Sequence, residues 1–520
     1  MTQSLAQRAA LRAAQATVLA RRERRHRWIR LVLFLVSAAL YYATFPIHSD
    51  GLILGNDVVP YAQALALGTP EGYWNPHHLL FHPLAGMVTE IWCALTLRPV
   101  SLERVLEAQC LISAVGGAAA VTLVFRFAAH LCRTRAALAF AALFAFSSGT
   151  WLYASVGETY LPATAALAAL LVRCAEIKLS MRRATPILVG AWLYLAVMLR
   201  QDSVIVVPVL FLLLPWRTAV AGVGGAGMLS VGMYGFAWLL SGSEAGFFAW
   251  LRGLADSGLW GGAPDLSSWE YSLGLILTAV TYVTWYELGW GLAFAVLLIA
   301  ALLPPRRVND KGLAVAAALA GFVALRFFFF TWWQPSNMEY HAGSVLPLVM
   351  LAALIWNPAL KGLWSRLRDG LLFACVTFVA SGNLFTLVIP SRGDEMARRA
   401  ERAVELAGEG GLVVSLDLFQ HYAVLRTTPE GVATLSAAEA VGTQGSPGPA
   451  LDRARAAIDD TLGRGAPVVL TRDVILAERF YRMEFHVNTE SFQTLIRGYE
   501  RDGEERDDEG RIWAWRLAPP

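Results

Sequence analysis

The chain has 520 residues, 56% of them hydrophobic and only 16% charged. That balance excludes an ordinary soluble globular protein and puts most of the chain in lipid. The formal net charge of +3 is too small to argue for a nucleic-acid partner, so the information lies in where the basic residues sit.

Residues 1–28 are polar and rich in arginine, densest from Arg21 to Arg30, with no small-residue cleavage site after the first apolar run. The reading is a cytoplasmic basic helix leading into a retained span over about 29–48. That span carries the chain to the outer face of the membrane. The outer loop 49–105 follows, and an apolar stretch at about 79–98 is predicted to lie along the outer interface as a juxtamembrane helix.

Further spans are expected at about 106–126, 136–154, 160–177, 185–200, 202–216, 218–240, 284–304, 312–333, 344–358 and 369–390, giving about eleven transmembrane helices. This arrangement places the basic clusters Arg126/Arg133/Arg135, Lys178/Arg182/Arg183, Arg217, Arg306/Arg307/Lys311 and Lys361/Arg366/Arg368 on the cytoplasmic side. The stretch 271–283 then lies at the outer interface without crossing. Cys93, Cys110, Cys132, Cys174 and Cys375 all fall in or beside apolar runs and read as small buried hydrophobes, with no structural disulfide expected.

Residues 391–520 differ sharply, holding nearly half of the charged residues. Short apolar runs such as "GLVVSLDL" and "APVVLTRDV" alternate with helical patterns such as "DEMARRAERAVELAGEG", which predicts a small soluble α/β domain. An odd number of spans puts it outside the membrane. It lacks a Gly-rich phosphate loop, and a lid or acceptor-docking role is expected. "ERDGEERDDEGR" reads as a solvated turn.

The polar residues that look out of place gather on the outer side. In the first loop Asp57 follows a Gly-Asn turn and precedes a short helical run starting at Val58. There the carboxylate is either a helix N-cap or a chemical group held ionised by the helix dipole. The same loop supplies His77, His78 and His82. His78 and His82 are spaced to share a helical face, suited to a divalent metal, a phosphate or the headgroup region. Two histidines without a third ligand make a weak metal site, so no metal ligand is assigned and a divalent metal is the one cofactor left open.

"SVGETYLPATAALAAL" puts Glu158 at the next outward turn, as a functional carboxylate or a helix cap. "MLRQDSVIVVP" brings Arg200, suited to gripping phosphate, and Asp202, or else an Arg–Asp pair with a snorkelling arginine. Arg326, inside an apolar span, either pairs internally or lines a headgroup cavity. "TWWQPSNMEYHAGSVLP" returns Glu339 and His341 to the same level as candidates for contacts to a polar substrate, beside an aromatic belt at Trp332 and Trp333.

The sequence of features resembles the GT-C superfamily of polytopic glycosyltransferases, with the protein O-mannosyltransferase and aminoarabinose transferase families the nearest likeness. The features are a cytoplasmic N-terminus, one span, a long outer loop opening on an acid and running to "HHLLFHPL", and then "GETY" at the next outer turn. The resemblance covers roughly residues 29–390. It implies a transfer from a polyprenyl-phosphate sugar to an acceptor hydroxyl, with inversion, on a lipid, polysaccharide or protein acceptor. Asp57 is the implied catalytic base, and His77, His78, His82, Glu158, Arg200, Asp202, Glu339 and His341 are the implied substrate contacts. Many relatives carry a second acid directly beside the first; here Asn56 and Val58 flank Asp57, and Glu71 or Glu158 could take that place.

A bacterial inner membrane is the expected location, with the C-terminal domain in the periplasm. The competing expectations are a lipid or sugar transporter or flippase, whose charged groups would sit nearer the midplane, and a scaffold whose outer domain binds other proteins.

Overall fold

The computed structural model describes residues 5–48, 58–68, 70–244, 246–252, 308–333, 343–356, 362–385, 395–415, 424, 428, 431–437, 449–472, 489–506, 510 and 512–519. The expected interfacial stretch 271–283 and the span 284–304 lie outside these residues.

The basic leader and the first span form one continuous helix, α1 (Leu5–His48), of 44 residues. At about 1.5 Å per residue it is longer than a bilayer is thick, and its apolar part is Glu23–Thr44. Three helices of the first loop follow: α2 (Val58–Ala66), α3 (Pro70–Tyr73) and α4 (Phe81–Thr96). The membrane bundle continues with α5 (Leu102–Leu131), α6 (Thr134–Phe146), α7 (Ser148–Ser155), α8 (Tyr160–Lys178) and α9 (Pro186–Leu199). A 3₁₀ turn (Gln201–Val206) then leads into α10 (Val207–Leu213), α11 (Trp216–Leu240) and α12 (Phe247–Arg252). Further along come α13 (Asp310–Trp333), α14 (Val345–Ile355) and α15 (Gly362–Asn383).

Among the described residues, five helices are long and apolar enough to cross a membrane, or six if α6 and α7 make one broken crossing. The shorter apolar helices Pro186–Leu199, Gln201–Leu213 and Val345–Ile355 lie where spans were predicted at 185–200, 202–216 and 344–358, and each is shorter than a full crossing needs. The chain is an α-helical polytopic membrane protein. Large side chains of α11, such as Met228, Val231 and Leu239, point outward, as lipid-facing positions do.

The stretch 136–154 departs from the expected straight span, because it breaks at Ser147 with a 60° bend. A break inside lipid frees backbone carbonyls that must find donors. Three of the freed carbonyls have one. Ser147 Oγ donates to the Phe144 carbonyl at 2.9 Å, the Tyr41 hydroxyl to Ala145 at 2.9 Å, and Asn383 Nδ2 to Phe146 at 2.5 Å. The hydroxyls of Thr44 and Ser155, 2.7 Å apart, tie α1 to the bent segment.

The hub is α5, which touches α1, α2, α4, α6, α7, α8 and α14. Its "AVGGAAA" stretch makes this crowding feasible. A Cβ on Gly116 would lie 2.6 Å from the Pro162 backbone nitrogen of α8, and one on Gly117 would lie 2.7 Å from Ala154 of α7. Small residues at helix contacts in lipid permit this approach. At the opposite end of the bundle, the nearly inaccessible Glu176 takes Arg126 Nε and Nη2 at 2.9 and 2.6 Å, with Arg182 3.2 Å away. Lys178 reaches the Leu212 carbonyl and Lys311 reaches Ser180, so basic residues assigned to one side do meet at one end.

The charged C-terminal part holds α16 (Glu395–Ala407), β1 (Leu412–Ser415), β2 (Ala433–Ser436), α17 (Pro449–Gly463), β3 (Val468–Thr471), α18 (Thr489–Ile496), β4 (Glu500–Arg506) and β5 (Ile512–Ala518). The five strands form one sheet in the order β2-β1-β3-β5-β4. The first three are parallel, and β5 and β4 are antiparallel additions. Val413 and Val469 face α16, while Leu412, Val414, Val468 and Leu470 face α17 and α18. Both faces are covered, which explains the unbroken apolar runs of β1 and β3.

The acidic stretch "ERDGEER" is not a turn, as expected, but the edge strand β4 paired with β5. Its exposed charges suit an edge that must not pair further. Its register slips around Gly503, which has φ of 70°.

Replacing Gly116 with valine should force α5 from α8 and cost about 1–3 kcal/mol, read as a lower melting temperature in detergent.

Candidate functional site

The site is organised by the end of α9. Pro208 lies in the first turn of α10 and has no backbone donor. Independently of that proline, α9 ends at Arg200, which is extended (φ −160°, ψ 116°), and a 3₁₀ turn follows. This break sets Arg200 and Asp202 side by side at the end of the bundle. Arg200 Nε donates to Asp202 Oδ1 at 2.8 Å, and Arg326 Nη1 of α13 lies 3.6 Å from Asp202 Oδ2. All three are nearly or fully sequestered from solvent; the side chain of Arg326 is 4% exposed.

Aromatic rings shape the two guanidiniums. Arg200 lies flat over Tyr160, 3.6 Å from the ring centre, and Tyr160 packs on Tyr153. Arg326 lies over Phe330 at 4.9 Å. Such faces hold a cation without consuming its N–H donors. Gly343, two positions after His341 in the chain, packs directly on Arg326, since a Cβ there would lie 2.6 Å from Arg326 Nη2.

The first loop docks on the same corner. Leu80 N donates to the Met198 carbonyl at 3.1 Å. Gln201 Nε2 donates to the Pro76 carbonyl at 2.8 Å and contacts the Tyr234 hydroxyl at 2.6 Å. His77, His78 and His82 are thereby brought close to Arg200. The expected common helical face for His78 and His82 is replaced by a turn, because α4 starts only at Phe81. Their rings are still 5.9 Å apart, and both pack on Tyr61 of α2. His82 is fully buried, with neither ring nitrogen hydrogen-bonded among the described residues.

Burial holds the three histidines neutral. It pulls His82 down to about 3 and His78 well below 6.5, with the neighbouring His82, Arg200 and His77 charges adding to the effect. Burial also lowers His77, against a hydrogen bond with Gln201 that favours its charged form.

Glu158 sits in the turn before α8 and is 4% exposed. Its carbonyl accepts from Ser113 Oγ at 2.6 Å. Thr159, next to it, holds the N-cap position of α8 without a side-chain cap hydrogen bond. A Cβ on Gly157 would lie 2.7 Å from Gln109 Cβ and 3.1 Å from Val58 Cγ1. The "GET" turn thus abuts the start of α2, and Val58, fully buried, directly follows Asp57 in the chain. Asp57, Glu339 and His341 themselves lie outside the described residues.

The structure therefore gathers His77, His78, His82, Glu158, Arg200 and Asp202 at one end of the bundle. Sequence reasoning left Arg326 undecided, and its partner is Asp202, 124 positions away in the chain. It missed Tyr160, Gln201 and the fully buried Gln109, the last signalled only by an amide at the start of the uncharged run from Gln109 to Phe125. Among the described residues no group of three or more His, Cys, Asp or Glu is placed to hold a metal ion.

No protein-family model and no curated protein matches the chain. Among solved structures it is similar to ArnT from Cupriavidus metallidurans in the apo state, with TM-score 0.55 and 14% identity over 95% of this chain and 99% of that one. ArnT from the same organism bound to undecaprenyl phosphate gives TM-score 0.54 and 13% identity over 94% and 99%. The Archaeoglobus fulgidus oligosaccharyltransferase in the apo form gives TM-score 0.51 and 12% identity over 93% and 74%. At such identities the likeness is one of fold. That shared fold agrees with the fold that the sequence resemblance implied.

The buried neutral histidines set a pH dependence. Their folded values lie below the ordinary 6.5, so the unfolded chain takes up protons first and stability falls as the pH drops below about 6.5 toward 3. Thermal melts in detergent should be flat above pH 7 and decline below it, with a shallower decline in His82→Phe.

Proposed function

We propose that this chain is a membrane glycosyltransferase that moves a sugar from a polyprenyl-phosphate donor to an acceptor hydroxyl. One observation carries the reading. Two buried arginines converge at one end of a GT-C bundle, beside the turn of Glu158 and the start of α2. Similar in fold is ArnT, solved bound to undecaprenyl phosphate.

The chemistry follows from charge. The acceptor oxygen forms a bond to the anomeric carbon as Asp57, directly before α2, takes its proton. On the opposite side the bond from that carbon to the phosphate oxygen breaks, and the phosphate leaves with the electron pair, so the anomeric centre inverts. Negative charge grows on the leaving phosphate, and preorganised cations in a dry site stabilise it most effectively. Arg200 and Arg326 serve there, since their planar donors match phosphate oxygens. The histidines, neutral at physiological pH, contribute hydrogen bonds and shape instead of charge. Glu158 takes the place of the second acid and orients the acceptor, with Glu339 and His341, just before Gly343 in the chain, adding polar contacts.

The positive-inside rule places the N-terminus in the cytoplasm and this end of the bundle outside, in a bacterial inner membrane. The α/β domain of residues 391–520 then lies in the periplasm as a lid or docking surface for a lipid, polysaccharide or protein acceptor. A transporter would place its ionisable groups nearer the middle of the bundle; here the described ones gather at its two ends, with the Arg200–Asp202–Arg326 set at one and the Glu176 set at the other.

The test is transfer of radiolabelled sugar from a panel of polyprenyl-phosphate donors by protein purified in detergent. Asp57→Asn should retain donor binding and lose about 10²–10⁴ in turnover, whereas Arg200→Lys should weaken donor binding as well. Equal turnover in wild type and Asp57→Asn would remove Asp57 from the mechanism.

A further inference from the structure

The carboxylate of Asp202 faces both guanidiniums of the proposed donor-phosphate site. It accepts from Arg200 at 2.8 Å and lies 3.6 Å from Arg326. Among the described residues two positive charges therefore meet one built-in negative charge, and the trio itself carries a net of one positive charge. Asp202 comes from the same short turn as Arg200, so the counter-charge cannot drift away from the cation it offsets. Its looser contact is the one to Arg326, on the far side.

A carboxylate in this position limits the negative charge an incoming ligand can bring. In a buried site, the interaction of a ligand with the local field scales with the product of the two charges. A sugar linked through one phosphate is a phosphodiester with a single negative charge. A sugar linked through a diphosphate carries two, and gains more from each added site charge.

Resting on the donor-phosphate reading above, we infer that Asp202 is a specificity-determining residue that tunes this site to monophosphate-linked prenyl donors and against diphosphate-linked ones. Removing its charge raises the local positive charge by one and shifts preference toward the diphosphate. Removing Arg326 instead lowers that charge by one and shifts preference the other way. A carboxylate that merely held the two helices together would lower affinity for both ligands without changing their ratio.

The experiment measures the binding of radiolabelled farnesyl phosphate and farnesyl diphosphate to the full-length protein in detergent. It compares wild type, Asp202→Asn and Arg326→Gln. The ratio of diphosphate to monophosphate affinity should rise about tenfold in Asp202→Asn, the size of a modest electrostatic change of about 1.4 kcal/mol, and fall in Arg326→Gln. An unchanged ratio in Asp202→Asn, or one moving toward the monophosphate, overturns the inference while leaving the donor reading intact. If Asp202→Asn does not fold, Arg326→Gln decides by the direction of its ratio. Failure of wild type to bind either prenyl phosphate overturns the donor reading itself, and this inference with it.

Discussion

The carboxylate of Asp202 between Arg200 and Arg326 is the contact around which the site end of this bundle is arranged. Charge inside a helical membrane bundle is tolerated when it is paired, and losing one member of such a buried set costs several kcal/mol because the remaining charges stay desolvated. The trio joins the break after α9 to α13 across a long stretch of chain. Tyr160 beneath Arg200 extends the connection to α8, and the close approach of Gly343 to Arg326 extends it to the chain entering α14. Elements far apart in sequence are thus held at one place by a small number of desolvated charges.

A second constraint acts on the backbone. The chain departs from regular helix at Ser147 and after Leu199, and lipid cannot hydrogen-bond the groups so released. At Ser147 the carbonyls are taken by Tyr41, Ser147 and Asn383, from three different elements. After Leu199 the first loop lends its own backbone, with Leu80 donating to Met198 and Gln201 reaching Pro76. The second break is where the arginine and the aspartate emerge. Irregular backbone anchored by the first loop is what lets polar side chains converge there.

The two ends of the bundle use charge differently. Glu176 with Arg126 and Arg182 is one buried acid satisfied by two bases, one half-exposed, an arrangement that locks α5 to α8 and the turn beyond. The corner at Asp202 carries the same two-to-one ratio with all three groups sequestered, next to neutral histidines and the turn of Glu158. Burial depth separates a structural clamp from a corner suited to a charged ligand.

Much of the architecture was legible from the sequence. Apolar run length and arginine placement gave the membrane class, the separation of polar residues by side, the start of α2 at Val58, and the alternation of strands and helices after residue 391, because these depend on local composition and period. What local pattern could not supply was contact. Residues 136–154 read as one span, since the donors that allow a break at Ser147 lie on α1 and α15. "ERDGEER" read as a turn, since its strand character comes from pairing with β5. Arg326 stayed open between an internal pair and a headgroup cavity, since its counter-charge Asp202 sits on another element. The sequence by itself determined which groups were too polar for lipid. Only the tertiary structure decided which of them meet, because in a low-dielectric interior a charge is positioned by its partner, and the partners are distant in the chain.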